Sequence, residues 1–293
     1  MQFLVFIIIY PFIWLLSNLP LKVLYFISDG IYYLLYFIIG YRKKTVMGNL
    51  RLAFPDKSEH EIKTISKKFY RHFVDIFTEI LKSFTISKNE MAKRYKFDNL
   101  DVFHKLESDN RSSILLGAHF ANWEWIFALN LLIKSHGYAV YKRIKNPFFD
   151  KQVQKTRGKL NTTLVSTKEI FSLIENNSKK DILSIYGFLG DQSPKLSRAD
   201  HYTNFLGISV PAHVGAEVLS KKYDLPIVFF ATRKIKRGYY ECTLKLLVDN
   251  PKKYKDYEIT DLFLLEVEKQ IRENPEHYFW SHKRFKHMKK KPN

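Results

Sequence analysis

His119 and Glu124 are the residues whose types and spacing point most directly to chemistry. They sit in Leu116-Gly117-Ala118-His119-Phe120-Ala121-Asn122-Trp123-Glu124, with the acid five positions after the base. A short apolar run, Ser113 to Gly117, ends at a glycine and delivers the histidine; the glutamate opens the next helical stretch. In open α/β sheets ligands bind at the carboxyl ends of strands, which is where this places the imidazole. A carboxylate on one ring nitrogen fixes the tautomer and raises the basicity of the other. That is the base and orienting acid of a triad without its serine. No G-x-S-x-G elbow and no H-E-x-x-H occur. The pair is instead suited to deprotonate a hydroxyl on a bound substrate, which then attacks an activated ester with no acyl-enzyme. The competing reading of any single histidine is a structural role, and the strand-end placement and nearby acid argue against it.

The elements that must position this pair follow from periodicity. Ser58-Glu59-His60-Glu61 has capping-box spacing. Apolar residues then recur at helical period from Ile62 to Phe84, which predicts a long amphipathic helix. Strand-like runs follow at 113–117, 139–142, 182–188, 226–232 and 240–248. Helical stretches alternate with them at 122–134, 148–160, 168–177, 211–223 and 261–273. The alternation predicts an α/β fold with a mostly parallel central sheet flanked by helices. No internal repeat or low-complexity linker interrupts it.

Charge and hydropathy narrow the function further. Lys and Arg number 48 against 29 Asp and Glu, a net charge of +19 that calls for acidic partners: nucleic acid, an anionic membrane face or an acidic carrier. The single cysteine, Cys242, excludes an intramolecular disulfide and a cysteine-rich zinc site, and its strand-like surroundings make it a core residue. No nucleic-acid motif accompanies the basic charge, so nucleic acid is not the expected partner. The first 41 residues hold one acid, Asp29, and one base, Lys22. Phe3 to Leu16 is apolar but broken by Pro11, and is too short to span a bilayer; Leu21 to Tyr41, opened by Pro20, is just long enough. Arg42, Lys43 and Lys44 follow at once and mark the cytoplasmic flank. Three readings compete: a signal peptide, disfavoured by the missing basic n-region and cleavage site; a buried helix pair; and a membrane anchor of one span or a shallow hairpin. The anchor is preferred, with residues 1–44 as an N-terminal hydrophobic membrane-anchoring segment and 45–293 as the catalytic domain. Asp29 then needs protein or headgroup contact. The tail from Lys283 to Lys291 carries six basic residues and no carboxylate, and is either solvated or bound to anionic headgroups.

Five blocks in order resemble the lipid A biosynthesis (lauroyl/myristoyl) acyltransferase family of the lysophospholipid acyltransferase superfamily. His119 with Glu124 matches the H-x4-D/E motif, within Gly117 to Glu124. Ahead of it, Tyr41-Arg42-Lys43, Asn49-Leu50 and Ala53-Phe54-Pro55 resemble the post-anchor segment. Val140-Tyr141-Lys142 with Asn146-Pro147 and Asp150 resembles the second block, and Gly190-Asp191-Gln192 with Phe205-Leu206-Gly207 the third. Trp280-Ser281-His282-Lys283-Arg284-Phe285-Lys286 resembles the C-terminal signature. The resemblance implies an enzyme of the bacterial inner membrane, active on its cytoplasmic face. It would move a fatty acyl chain from acyl carrier protein, or acyl-CoA, to a hydroxyl of a lipid A precursor. Acyl carrier protein, the glycolipid acceptor and the membrane are then its partners, with no metal and no prosthetic group. His119 becomes the general base and Glu124 its partner. Asn122, Lys142, Arg143, Asp191, Arg284 and Lys286 become candidates for substrate contact, although Asn122 also suits a helix cap and Asp191 a turn. Where the family has arginine after the tyrosine of the second block, this chain has Lys142, which keeps the charge and loses the bidentate fork. The alternatives are an acyltransferase for another glycolipid or an aminolipid, a basic nucleic-acid-binding membrane protein, and a membrane protein whose catalytic domain is dead.

Overall fold

The computed structural model describes residues 1–289. Its centre is a seven-stranded sheet in the order β1-β9-β8-β2-β5-β3-β4, built from Tyr95–Asp98 (β1), Ser113–Gly117 (β2), His136–Tyr141 (β3), Thr162–Ser166 (β4), Ser184–Leu189 (β5), Ile227–Lys236 (β8) and Tyr239–Val248 (β9). Within this sheet, among the described residues, only the β8–β9 hairpin is antiparallel; the other neighbours run parallel. A separate two-stranded ribbon pairs Tyr202–Phe205 (β6) with Ile208–Pro211 (β7). The mostly parallel sheet is therefore as the alternation requires. β2 is buried at every position, since helices cover both faces of a parallel sheet.

Among the described residues ten α-helices accompany the sheet: Gln2–Asn18 (α1), Leu21–Tyr33 (α2), Lys43–Ala53 (α3), Glu59–Lys82 (α4), Lys88–Arg94 (α5), Asp101–Ser108 (α6), Pro147–Gly158 (α7), Ile170–Lys179 (α8), Gly215–Tyr223 (α9) and Glu258–Glu273 (α10). The α4 capping box forms as its spacing predicts: Ser58 accepts from the Glu61 N–H while Glu61 reaches back to the Ser58 N–H. Two expectations need correction. The apolar run at the N-terminus is not broken at Pro11, which lies inside a continuous α1. The stretch 122–134 is not an α-helix: residues 118–124 form an irregular loop, followed by a 3-10 helix over Trp125–Leu131. The short strands β1 and β4, and the β6–β7 ribbon, lie outside the runs read from sequence.

α2 continues as a π-helical turn, Leu34–Ile39, and ends at Gly40 in the left-handed region. Leu21–Ile39 is long and apolar enough to cross a membrane by length and composition. One face packs on α4 through Leu21, Leu24, Tyr32 and Tyr36, which are buried. The opposite face is open, with Phe26 80% and Ile38 78% exposed. Asp29 finds the protein contact it needs: Arg237, in the β8–β9 turn, donates to both Asp29 oxygens at 2.9 and 3.0 Å and also to Asp75 of α4. α1 lies against α7, where Phe6 meets Phe148 and Phe149, and leaves Phe3, Leu4, Ile8 and Phe12 exposed.

Candidate active site

Strand register brings the site together. β2 and β5 are adjacent and parallel, with Gly117 opposite Leu189. Two residues beyond each partner stand His119 and Asp191, so both emerge at the same edge of the sheet. Each strand turns out at a glycine. A Cβ on Gly117 would lie 2.1 Å from the Phe230 ring, and one on Gly190 would lie 3.0 Å from Phe263; Gly190 N–H also donates to the Gly117 carbonyl at 3.1 Å. At Gly117 the Phe230 ring leaves no room for a side chain, and at Gly190 the fit is tight.

His119 is held by a carboxylate, and that carboxylate belongs to Asp191. Nδ1 lies 2.8 Å from Asp191 Oδ1, which also accepts the His119 backbone N–H at 3.1 Å. A carboxylate is an acceptor, so the bond sets the Nδ1–H tautomer and leaves Nε2 as the acceptor nitrogen. The Gln192 side-chain amide donates toward Nε2 at 3.3 Å. The His119 side chain is 20% exposed. Asp191 is fully buried. Burial alone would raise its carboxyl pKa, but the charge and hydrogen bonds of His119 outweigh burial and hold it below the ordinary range.

Glu124 does not orient His119. Its carboxylate pairs instead with Arg157 of α7, a guanidinium 9% exposed and stacked over Phe127. Ala121 adopts φ +47° within this loop, which packs Trp123 on the imidazole and leaves the Glu124 carboxylate with Arg157. The loop is clasped from behind by residues 277–280. Ala121 N–H donates to the His277 carbonyl at 3.0 Å, Phe279 N–H donates to the His119 carbonyl at 3.1 Å, and Phe120 bridges to Tyr278. Phe279 and Trp123 wall the imidazole, at 5.9 and 5.3 Å between ring centroids.

Trp123, Glu124 and Arg157 also wall a cavity of about 250 Å³, lined otherwise mostly by apolar groups such as Ile126, Phe127, Val140, Leu164 and Phe230. It runs beneath β3 and β5, with Lys142 in its lining and exposed to solvent. The second sequence block builds this wall. Asp150 accepts from Tyr141 Oη at 3.0 Å and from the Ile144 N–H at 2.8 Å, and Asn146 caps α7.

The remaining candidates are scattered. Asn122 is buried and faces no open site: its Oδ1 accepts from the Trp125 N–H at 3.0 Å and its Nδ2 donates to Glu79 at 2.6 Å. Glu79 also accepts from Tyr25 and Tyr240, so one buried acid ties α2, α4, β9 and the His119 loop together. Burial pushes its pKa up to about 7. Arg143 is exposed and paired with Glu169 at 2.6 Å. Arg284 is 1% exposed and donates to the Pro211 carbonyl at 3.0 Å and to Ser193 at 3.3 Å, stacked over Phe205. It buttresses the loop after Asp191 and is closed to a phosphate. Lys286 stays on the surface. The basic tail is not free over its described part: Lys289 N–H donates to the Ser209 carbonyl at 3.0 Å, while Lys290 and Lys291 fall outside the described residues. Cys242 is buried and its thiol is pushed up to about 12. Among the described residues no three His, Cys, Asp or Glu side chains cluster as metal ligands.

Sequence reasoning passed over Arg157 and Gln192 as single residues. Arg157 had a signal: it sits on the α7 face marked by Asp150 and Val153, a position otherwise given to buried groups.

A hydrogen-bonded imidazole at the carboxyl edge of a mostly parallel sheet, near a mostly apolar cavity, is the arrangement of an α/β enzyme. Residues 1–287 match the family model for bacterial lipid A biosynthesis acyltransferases, and the chain belongs to that family; it is an acyltransferase. Relatives are distant but nearly full-length. A lipid A biosynthesis lauroyltransferase of Escherichia coli (strain K12) is 24% identical over 94% of this chain and 89% of its own. A lipid A biosynthesis palmitoleoyltransferase of the same organism and a lipid A biosynthesis acyltransferase of Shigella flexneri are each 21% identical over 94% of this chain and 88% of theirs.

Proposed function

We propose that the protein transfers a fatty acyl chain from acyl carrier protein, or from acyl-CoA, to a hydroxyl of a lipid A precursor. Nε2 of His119 takes the proton of the acceptor hydroxyl. The alkoxide oxygen attacks the thioester carbonyl, the new C–O bond forms, the C–S bond breaks, and the thiol leaves with the proton from Nε2. Asp191 stabilises the imidazolium while the proton is held. The tetrahedral oxyanion needs a cation or donors aimed at it. Arg157, anchored by Glu124 in the cavity wall next to Trp123, is the buried guanidinium suited to that task. Glu124 thus acts on the cation and not on the base. The cavity takes the donor acyl chain, and Lys142 on its rim meets the acidic carrier or a phosphate. The step balances without metal or prosthetic group.

Residues 1–44 seat the enzyme in the inner membrane through the open face of α1 and α2, with Arg42, Lys43 and Lys44 against the cytoplasmic surface. The net charge of +19 favours both an acidic carrier and anionic lipid.

The observation that carries this reading is the His119–Asp191 bond beside the apolar cavity, within a chain matched to the family along nearly its whole length. The test is transfer from labelled acyl carrier protein to a panel of acceptors, read by mass spectrometry. Ester formation on the lipid A precursor supports the reading. Acylation of an aminolipid or another glycolipid, with none on the precursor, replaces the acceptor and keeps the chemistry.

A further inference from the structure

A second apolar space lies two aromatic contacts away from His119. It is an open groove of about 430 Å³ between α2 and α4, walled by Ile31 and Leu35 on one side, Phe73, Phe77 and Leu81 on the other, with Tyr41 at one end. We propose that this groove holds a hydrocarbon chain of the lipid acceptor and guides it from the bilayer to His119. This rests on the reading that the protein acylates a lipid.

Three observations carry it. First, the groove is continuous with the apolar face that the N-terminal helices leave open: Ile31, Phe37, Ile38 and Phe77 are all exposed at or beside it. An apolar surface of this kind beside a basic flank fits lipid chains below headgroups, not water. Second, an unbroken line of aromatic contacts runs from the groove to the base. Tyr41 meets Phe73 at 6.0 Å, Phe73 meets Phe279 at 5.7 Å, and Phe279 meets His119 at 5.9 Å and Trp123 at 5.4 Å. Third, Trp123, which packs on Phe279 at the end of that line, also lines the cavity against β3 and β5, so the ring contacts link the groove to the second apolar space past the imidazole. Transfer between two lipidic substrates requires two such spaces that meet at the reacting atoms. The cavity against β3 and β5 suits a single donor chain. The open one, slotted along a helix at the membrane face, suits a chain that stays attached to a lipid held in the bilayer. The groove offers Thr78 and Tyr41 as its polar lining side chains, which fits a hydrocarbon and leaves a headgroup outside.

The experiment narrows the groove with Leu35→Trp and, separately, with Ile31→Trp at its exposed rim, which disturbs less packing. Thermal unfolding checks the fold. kcat/KM is measured for an acceptor with its natural long chains and for an analogue with the chains cut to about four carbons. The expected result is a fall of tenfold or more in the ratio of long-chain to short-chain kcat/KM. An unchanged ratio in a folded variant overturns the proposal. A photoreactive diazirine near the end of an acceptor chain gives a readout independent of turnover in the wild-type protein. Label on residues 31–35 and 73–81 supports the groove. Label confined to the cavity against β3 and β5, on residues 138–153, overturns it. Labelling of the groove by a lipid that is never acylated would refute the proposed reaction and leave the groove standing.

Discussion

Replacing Asp191 by Asn tests the geometry at its most specific point. The two side chains are nearly isosteric, so the His119 loop keeps its shape; Asn Oδ1 can still accept from Nδ1 at about the observed 2.8 Å. What disappears is a full negative charge beside the imidazole that the proposed proton transfer makes positive. With charge centres about 4 Å apart and an effective dielectric near 20, that interaction is worth about 4 kcal/mol, or about three decades of rate. The neutral hydrogen bond that remains recovers part of it, so kcat should fall ~10²–10³-fold with little change in KM for either substrate. The assay is single-turnover transfer from labelled acyl carrier protein to the lipid acceptor, with circular dichroism confirming the fold. Glu124→Gln serves as the contrast: it should weaken the hold on Arg157 and leave the His119–Asp191 bond intact. An Asp191→Asn enzyme that retains kcat within threefold of wild type would refute the assignment of Asp191 as the orienting acid.

Three further outcomes follow from packing and titration. Gly117→Ala drives a methyl into the Phe230 ring and should destabilise the protein by about 1–3 kcal/mol in urea unfolding, with activity lost beyond what stability explains because His119 is two residues on. Glu79 keeps its proton up to about pH 7 when folded but releases it near 4.5 when unfolded, so it lowers stability as pH rises between those values. Glu79→Gln should therefore gain on wild type by about 3 kcal/mol between pH 4.5 and pH 8, since the shift is about 2.5 units; a pH-independent difference would contradict it. His72, His277 and His282 are held neutral, chiefly by burial, with His277 at about 3 and His282 at about 4. The unfolded chain binds those protons near pH 6.5 and the folded chain does not, so stability should drop steeply as pH falls below 6.5. Proton uptake on unfolding, measured by calorimetry at pH 5, should approach three from these groups.

Much of this was legible in the residues. The five strands read from apolar runs all exist, and the long helix begins at its capping box. His119 stands at a strand end, as the glycine before it implied. The partner was not legible, for a physical reason. Glu124 is near His119 in sequence, and local spacing favours near neighbours. The loop with positive φ at Ala121 leaves it with Arg157, and Asp191 arrives through sheet register from 72 residues away. The shared signal was a pair of apolar strands each closed by a glycine and followed by a titratable residue. Arg284 misled through its charge: arginine in a basic tail reads as exposed, yet Phe205, Ser193 and the Pro211 carbonyl enclose it. Asn122 resolved as a cap and strut because its two polar ends are both satisfied inside the fold.

The most direct test is single-turnover acyl transfer from acyl carrier protein to purified lipid A precursor by wild type, His119→Ala and His119→Gln, with all three shown to be folded. Wild type should add one acyl ester to the acceptor, and both variants should lose the transfer by at least 10³-fold while still binding the donor. Transfer by either variant at a tenth of the wild-type rate would contradict the role of His119 as the base.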